Sequence, residues 1–315
     1  MTAGDPARRT GGNLYNRHML AALRRDGVRV TTVLVRSKRD GARVRELRPP
    51  VVIVDTIAAP FVAPHLAQLR ARGSAVVALV HMRRGAIALC WRADRVITVS
   101  HALADELAAA GMDRRRIVVI SPGRDRIVAS HGKDAGRVLC VANWTPGKGI
   151  HTLVAAVARL REVSLDLVGD TPDAGYAARL RRLIADRGLK SRVRVYGSLG
   201  RTALERRYAA ASIFALPTLR EGYPIVIVEA LAHGLPVVGS HVRAVREVTG
   251  DAAILVPPGR VAPLAAALLK LVRDERSRRV LARRSARRAR QLPTWSESEA
   301  RFVRAVSSAR RRASL

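Results

Sequence analysis

The chain has 315 residues, of which 48% are hydrophobic, 57 are Lys or Arg and 25 are Asp or Glu, giving a formal net charge of +32. That apolar content excludes a wholly disordered chain. No apolar run reaches the roughly 20 residues of a membrane-spanning helix, and residues 1–10 lack the apolar stretch of a secretory signal. The expectation is a soluble cytoplasmic protein of about two domains.

The charge favours polyanions: nucleic acid, anionic lipid or phosphorylated substrates. Nearly all the excess is arginine, since lysine occurs only at Lys38, Lys133, Lys148, Lys190 and Lys270. Ala and Val are also abundant, as a GC-rich coding bias would produce, so basicity alone names no partner. Aromatic residues make up 3%, which leaves few stacking platforms for single-stranded nucleic acid. Cys90 and Cys140 form neither a disulfide framework nor a metal-ligand spacing.

Residues 13–25 read as a helix with Asn13 as N-cap and Gly27 just past its end. Strands follow at 28–35 and 51–55, then a helix at 64–72. A continuously apolar strand at 75–81 fits a parallel sheet covered on both faces. A strand at 95–99, a helix at 101–110 and a strand at 117–121 complete the first half, closed by Pro122-Gly123. Residues 124–137 are polar without a clear period. The N-terminal domain is therefore placed at 1–126 and the linker at 127–137. The second half, 138–292, has predicted strands at 138–142, 165–169, 193–197, 213–216, 236–240 and 253–256. Its helices fall at 150–161, 175–187, 202–210, 224–233, 261–274 and, strongly basic, 275–291. Leu292-Pro293 precedes a last helix from 296. Strand–helix alternation in both halves predicts an α/β protein with two doubly wound, Rossmann-like parallel sheets. Ligands are expected at the carboxyl ends of the strands, in a cleft between the halves.

The chemistry concentrates in residues 220–236. Ile225 to Val228 would favour a strand by propensity, but Pro224 suits a first helical position and Gly234 the position past the end. A helix starting at Pro224 aims free amides and a positive dipole end at the preceding loop, an anion site suited to a phosphate. Glu221 stands at that mouth. Glu229 lies two turns down, suited to accept from paired hydroxyls. A ligand carrying both phosphate and sugar hydroxyls fits the two carboxylates.

Glu221 and Glu229, with seven residues between them and Ala230-Leu231-Ala232-His233-Gly234-Leu235-Pro236 after, resemble the E-x7-E motif of GT4-type retaining glycosyltransferases of the GT-B fold. Gly11-Gly12-Asn13 resembles the family's glycine loop, and Ala78-Leu79-Val80-His81 the strand ending in its active-site histidine. Ser121-Pro122-Gly123 is similar to the end of the N-terminal domain, and 141–149, Val-Ala-Asn-Trp-Thr-Pro-Gly-Lys-Gly, to the phosphate loop. The resemblance spans nearly the whole chain.

It implies two Rossmann-like domains, with 293–315 packing back on the N-terminal one. It also implies transfer of a hexosyl unit, with retention, from a UDP- or GDP-sugar to a hydroxyl acceptor: a glycolipid, a polysaccharide or a small molecule. By resemblance, Lys148 neutralises the diphosphate, Glu229 holds the ribose hydroxyls, and Glu221 with the amides of Gly222, Tyr223 and Ile225 orients sugar and phosphate. Gly11 and Gly12 allow close approach at the diphosphate, Asn143 lies in the phosphate loop, and His81 contacts sugar or acceptor. No Asp-x-Asp occurs, so neither a metal nor another cofactor is expected. The basic surface suggests peripheral contact with the anionic inner leaflet, where lipid-linked acceptors lie.

Three departures stand out. Residues 1–10 do not read as a buried strand, so the first sheet is expected to lack its first strand and the chain to be a shortened form. Asn143 replaces the usual arginine, and Arg243-Ala244 the usual glycine pair. A catalytically weak member and a basic nucleic-acid-binding protein are the rival readings, though no specific nucleic-acid motif is present. His18, His65, His101, His131, His151, His233 and His241 lack ligand spacing and read as surface or capping residues. Trp295 is expected to anchor the last helix, and Tyr15 and Tyr208 to be core.

Overall fold

The computed structural model describes residues 1–3, 5–83, 85–126 and 135–313. The chain divides into two compact units, Met1–Gly123 with Pro293–Leu315, and Arg124–Leu292. Most of the linker expected at 127–137, and His131 and Lys133 with it, lies outside the described residues.

The first unit holds a parallel sheet of β1 (Val51–Asp55), β2 (Ala75–Val80), β3 (Arg95–Thr98) and β4 (Ile117–Val119), in that spatial order. All six residues of β2 are buried. This is the consequence of a parallel strand covered on both faces, and it explains the unbroken apolar run. The helix Gly11–Arg25 begins two residues before Asn13. Thr10 is its N-cap, and the Thr10 hydroxyl accepts from the Asn13 N–H at 3.1 Å. Residues 64–72 are not one helix: a 3-10 turn, Ala63–His65, holds Pro64 and precedes the helix Leu66–Ala71.

The strand expected at 28–35 is absent except for one parallel bridge between Thr2 and Leu34. Val28 and Leu34 are exposed. Their only ladder partner among the described residues is Met1–Thr2, where the Thr2 N–H donates to Val33 O at 3.1 Å and the Val35 N–H to Thr2 O at 2.9 Å. Met1 O in turn accepts from the Asp55 N–H at 3.0 Å, which puts this short segment at the edge of β1.

The last helix, Trp295–Ala313, belongs to the first unit and packs on the helix Gly11–Arg25 and on β2. Trp295 is buried and stacks face to face on His18, with centroids 3.8 Å apart. Buried Glu299 closes the junction: His18 Nδ1 meets its Oε1 at 2.9 Å and Arg25 donates to its Oε2 at 2.6 Å. His18 is thus a packing residue, against the surface role its sequence suggested.

The second unit holds a six-stranded parallel sheet. Its strands are β5 (Arg137–Val141), β6 (Ser164–Val168), β7 (Val193–Gly197), β8 (Ile213–Leu216), β9 (Val237–Ser240) and β10 (Ala253–Val256). The spatial order is β10-β9-β8-β5-β6-β7. The chain winds outward from β5 to β7, then returns to place β8 on the other side of β5. Adjacent β5 and β8 therefore form the topological switch point, where loops leaving the two strands diverge and leave a crevice. Residues 225–232, despite four β-branched residues in a row, form a helix, Ile225–Ala232. Ile227, Val228, Ala230, Leu231 and Ala232 lie in the apolar core, and burial outweighs the segment's propensity. Short helices at Lys38–Arg43, Ile87–Arg92 and Arg243–Thr249 gave no periodic signal long enough to be read.

Trp295→Ala should remove both the ring stack and the buried apolar area, at a cost of about 3–5 kcal/mol. The check is chemical denaturation followed by probes in each unit, with loss of stability expected in the first unit and not in the second.

Candidate functional site

In the second unit, the loops leaving β5 and β8 are clasped together. After β5, Thr145 leads into a 3-10 turn, Pro146–Lys148, and then Gly149 with φ +64°. A side chain at 149 would run into Pro217 O as well as requiring left-handed backbone, so glycine answers two demands. Gly147 O accepts from the Leu219 N–H at 2.8 Å, and the Thr218 hydroxyl shares its one proton between Gly147 O at 3.1 Å and Arg220 O at 2.9 Å. Thr218 is fully buried. This clasp fixes where the next side chains go: Lys148 Nζ donates to Glu221 Oε2 at 2.6 Å. Lys148 retains 29% side-chain exposure and Glu221 9%, so the ammonium still faces solvent on one side.

Asn143, where the family pattern has an arginine, holds the floor of the same loop. Its side-chain oxygen accepts from the Asp170 N–H at 3.2 Å, and the Trp144 N–H donates to Asp170 O at 2.7 Å. Gly169 makes this approach possible: a side chain there would strike Ala142 O, and its φ is +149°. Asn143 thus ties the loop after β5 to the loop after β6.

Past Glu221, the amides of Gly222 and Tyr223 make no hydrogen bond to any described residue. The Ile225 amide does not share that state. Pro224 sits at φ −84°, ψ +78°, close to an inverse γ-turn, and the Ile225 N–H donates across it to Tyr223 O at 3.0 Å. Ile225 is therefore removed from the candidate ligand donors, and Pro224 is the N-cap of its helix, not the first helical residue. Glu229, on that helix, accepts from the Tyr208 hydroxyl at 2.8 Å. Burial pushes its pKa up to about 7, against the Tyr208 hydrogen bond, which pulls it down. Tyr208 is fully buried and stacks on His233, whose Nδ1 donates to Glu229 O at 2.9 Å. Tyr208 is core, as its pattern suggested, and is also the hydrogen-bond partner of a candidate site residue.

His81, Gly11 and Gly12 lie in the first unit. His81 follows β2, and Gly11 and Gly12 open the helix Gly11–Arg25. A side chain at 12 would sit 3.6 Å from the His81 ring, ordinary contact, so the helix start lies directly against the imidazole. His81 Nε2 meets Asn16 Oδ1 at 3.0 Å. Burial pushes the His81 pKa down, with nearby Asp55 opposing. Asn16 went unread in the sequence, although it stands four residues after Gly12 and therefore on the same helix face. Both thiols are buried, with pKa values pushed up to about 12 by that burial, so neither is an available nucleophile. Among the described residues no group of three His, Cys, Asp or Glu side chains converges as a metal site, and no helix is long and apolar enough to cross a membrane.

The chain is 31% identical over 218 residues to the MMP α-(1→4)-mannosyltransferase of Mycolicibacterium hassiacum, covering 66% of this chain and 52% of that relative. It is 33% identical over 165 residues to the D-inositol 3-phosphate glycosyltransferase of Mycolicibacterium smegmatis, covering 48% and 38%. The lipopolysaccharide core biosynthesis glycosyltransferase LpsE of Rhizobium meliloti is 26% identical over 309 residues, covering 87% and 89%. The chain thus spans about half or less of the first two relatives and most of the third. Its fold is similar to sucrose-phosphate synthase of Thermosynechococcus elongatus, with TM-score 0.84, 21% identity and 98% and 97% coverage. It is also similar to Anabaena HepE in complex with UDP-glucose, with TM-score 0.82, 21% identity and 98% coverage of both chains. The family model described as glycosyl transferases group 1 matches residues 135–274, and the one described as glycosyltransferase family 4 matches residues 34–127. With both halves matched in order and two parallel-sheet α/β units to hold them, the chain belongs to the GT4-type, group 1 glycosyltransferases of the GT-B fold.

Proposed function

We propose that the protein transfers a hexosyl unit from a nucleoside-diphosphate sugar, with UDP or GDP as the nucleotide, to a hydroxyl acceptor with retention of configuration. The observation that supports this reading best is the Lys148–Glu221 contact of 2.6 Å at the switch point between β5 and β8. It combines one cation for a diphosphate with one acceptor for a sugar hydroxyl, a few ångströms apart, beside the amides of Gly222 and Tyr223, which bond no described residue. The relatives named as mannosyltransferase and inositol 3-phosphate glycosyltransferase, and HepE with its UDP-glucose, are consistent with it.

In this reading the Lys148 ammonium, a compact point charge, neutralises the diphosphate and stabilises it as it leaves. Glu221 keeps Lys148 on Oε2 and offers Oε1 to a donor-sugar hydroxyl. Glu229, ionised, accepts from the ribose hydroxyls. Gly11 and Gly12, which open a helix, allow close backbone approach of the diphosphate. His81 meets the sugar or the acceptor. The bond between the anomeric carbon and the β-phosphate oxygen breaks with its electron pair going to phosphate. The acceptor oxygen bonds the same carbon from the same face and gives its proton to the departing phosphate. Positioning and charge stabilisation supply the catalysis, with no enzyme nucleophile and no metal. The helix Glu275–Gln291 exposes Arg276, Arg283 and Arg290 without an ion pair to any described residue. That face suits peripheral contact with an anionic membrane and a lipid-linked acceptor.

Calorimetry with UDP, GDP, ADP and their sugars is the direct test, and binding of none of them would defeat the reading. Lys148→Ala should weaken nucleoside-diphosphate affinity by roughly 10- to 100-fold, the worth of a charged hydrogen bond. Glu221→Ala should leave UDP affinity within a few-fold while donor hydrolysis slows sharply; wild-type turnover in a folded variant would remove its role.

Glu229 gives a pH signature. An acid whose pKa is raised stays protonated to a higher pH, and only the ionised form accepts two hydroxyl donors. Affinity for UDP-glucose, whose diphosphate has no proton to lose in this range, should therefore rise with pH, by roughly tenfold from about pH 6 to about pH 8. Glu229→Gln should bind weakly and without that slope.

A further inference from the structure

His81 belongs to a cluster held wholly within the first unit. Asp55 ends β1, and the parallel register sets it beside Leu79 of β2, two residues before His81. Asp55 Oδ1 accepts from the Ile57 N–H at 3.1 Å and caps the turn Thr56–Ala58. Its Oδ2 accepts from Asn16 Nδ2 at 2.7 Å. A carboxylate only accepts, so the amide nitrogen of Asn16 must be the group facing it. That leaves Asn16 Oδ1 against His81 Nε2 at 3.0 Å. An amide oxygen cannot donate, so Nε2 carries the proton. A neutral imidazole has one N–H, and the lone pair is then on Nδ1. Flipping the Asn16 amide would set its oxygen against a carboxylate oxygen at 2.7 Å, which forbids the alternative. Nδ1 makes no hydrogen bond to any described residue. Gly12 lies against one part of the ring and Tyr15 meets it edge-on with centroids 5.4 Å apart, so the imidazole has little room to turn.

We infer that Asn16 and Asp55 are positioning residues that hold His81 as the neutral Nε2–H tautomer and present its Nδ1 lone pair as an acceptor for a substrate hydroxyl at the carboxyl end of β2. The tautomer follows from the first unit alone. The hydroxyl partner rests on the transferase reading above. The arrangement gives His81 a single polarity: Nδ1 accepts and cannot donate, so it selects a hydroxyl over a carbonyl or phosphate oxygen at that position.

Imidazole nitrogen-15 shifts of the full chain, with the His81 signals assigned by their loss in His81→Gln, report which ring nitrogen is protonated. The wild type should show Nε2–H with an unprotonated Nδ1. Asn16→Ala, and the isosteric Asp55→Asn, which lets Asn16 turn its amide, should each give a mixture of tautomers. In nucleotide-sugar hydrolysis both should lower kcat by about 10- to 100-fold, the usual cost of losing an orienting partner. UDP affinity should stay within a few-fold, since the side chains assigned to hold it, Lys148 and Glu229, lie in the other unit. An Nδ1–H or imidazolium ring in the neutral-pH wild type overturns the inference, as does an Nε2–H signal that survives both substitutions, or an unchanged kcat in both. If Asn16→Ala does not fold, Asp55→Asn gives the same reading. Failure of the wild type to bind any nucleotide overturns the hydroxyl assignment and the transferase reading together, and leaves the tautomer result standing.

Discussion

The winding of the second sheet makes β5 and β8 neighbours although β6 and β7 lie between them in the chain. Loops leaving neighbouring parallel strands in opposite directions leave a crevice between them, and both loops must be pinned for side chains to meet across it. Gly147 O supplies the pin by accepting from the Leu219 N–H, with the Thr218 hydroxyl beside it. Without that clasp, Lys148 and Glu221, 73 residues apart in the chain, would have no reason to approach to 2.6 Å. A partly exposed ammonium beside a nearly buried carboxylate keeps the cation in place while leaving part of its hydration to be exchanged for a ligand's oxygens. Preorganisation of this kind stabilises developing charge without reorganisation at the moment of reaction.

The same economy appears in the first unit with different chemistry. There a carboxylate at a strand end, an amide on a helix face and an imidazole just past the next strand are joined by two hydrogen bonds whose donor and acceptor identities allow one arrangement. The glycine start of the helix presses on the same ring. Each unit thus fixes one polar group through neighbours that come from distant elements, and each does so at the carboxyl end of a parallel sheet.

Several features were legible in the residues because their causes are local. The unbroken apolar run of β2 follows from burial on both faces, and the Pro224 and Gly234 boundaries of the helix between them follow from backbone chemistry that propensity could not override. Other features were hidden because their causes are not local. The run at 28–35 has strand composition, yet a strand needs a ladder partner, and only Met1–Thr2 runs beside it among the described residues. The Ile225 amide looked free from its place at a helix start, and Pro224 used it in a γ-turn. His18 looked like a surface residue until Trp295 arrived from the far end of the chain to stack on it.

By itself the sequence determined which residue types were available for chemistry and the alternation of elements that forces two parallel sheets, because side-chain type and periodicity act over a few residues. Tertiary structure alone decided which of those groups meet: Lys148 with Glu221, Glu229 with Tyr208, Asn16 with Asp55 and His81. Hydrogen bonds act over about 3 Å, and which atoms come within that reach is set by strand order, register and loop clasps. A linear string of residues does not contain those distances until its apolar faces are buried.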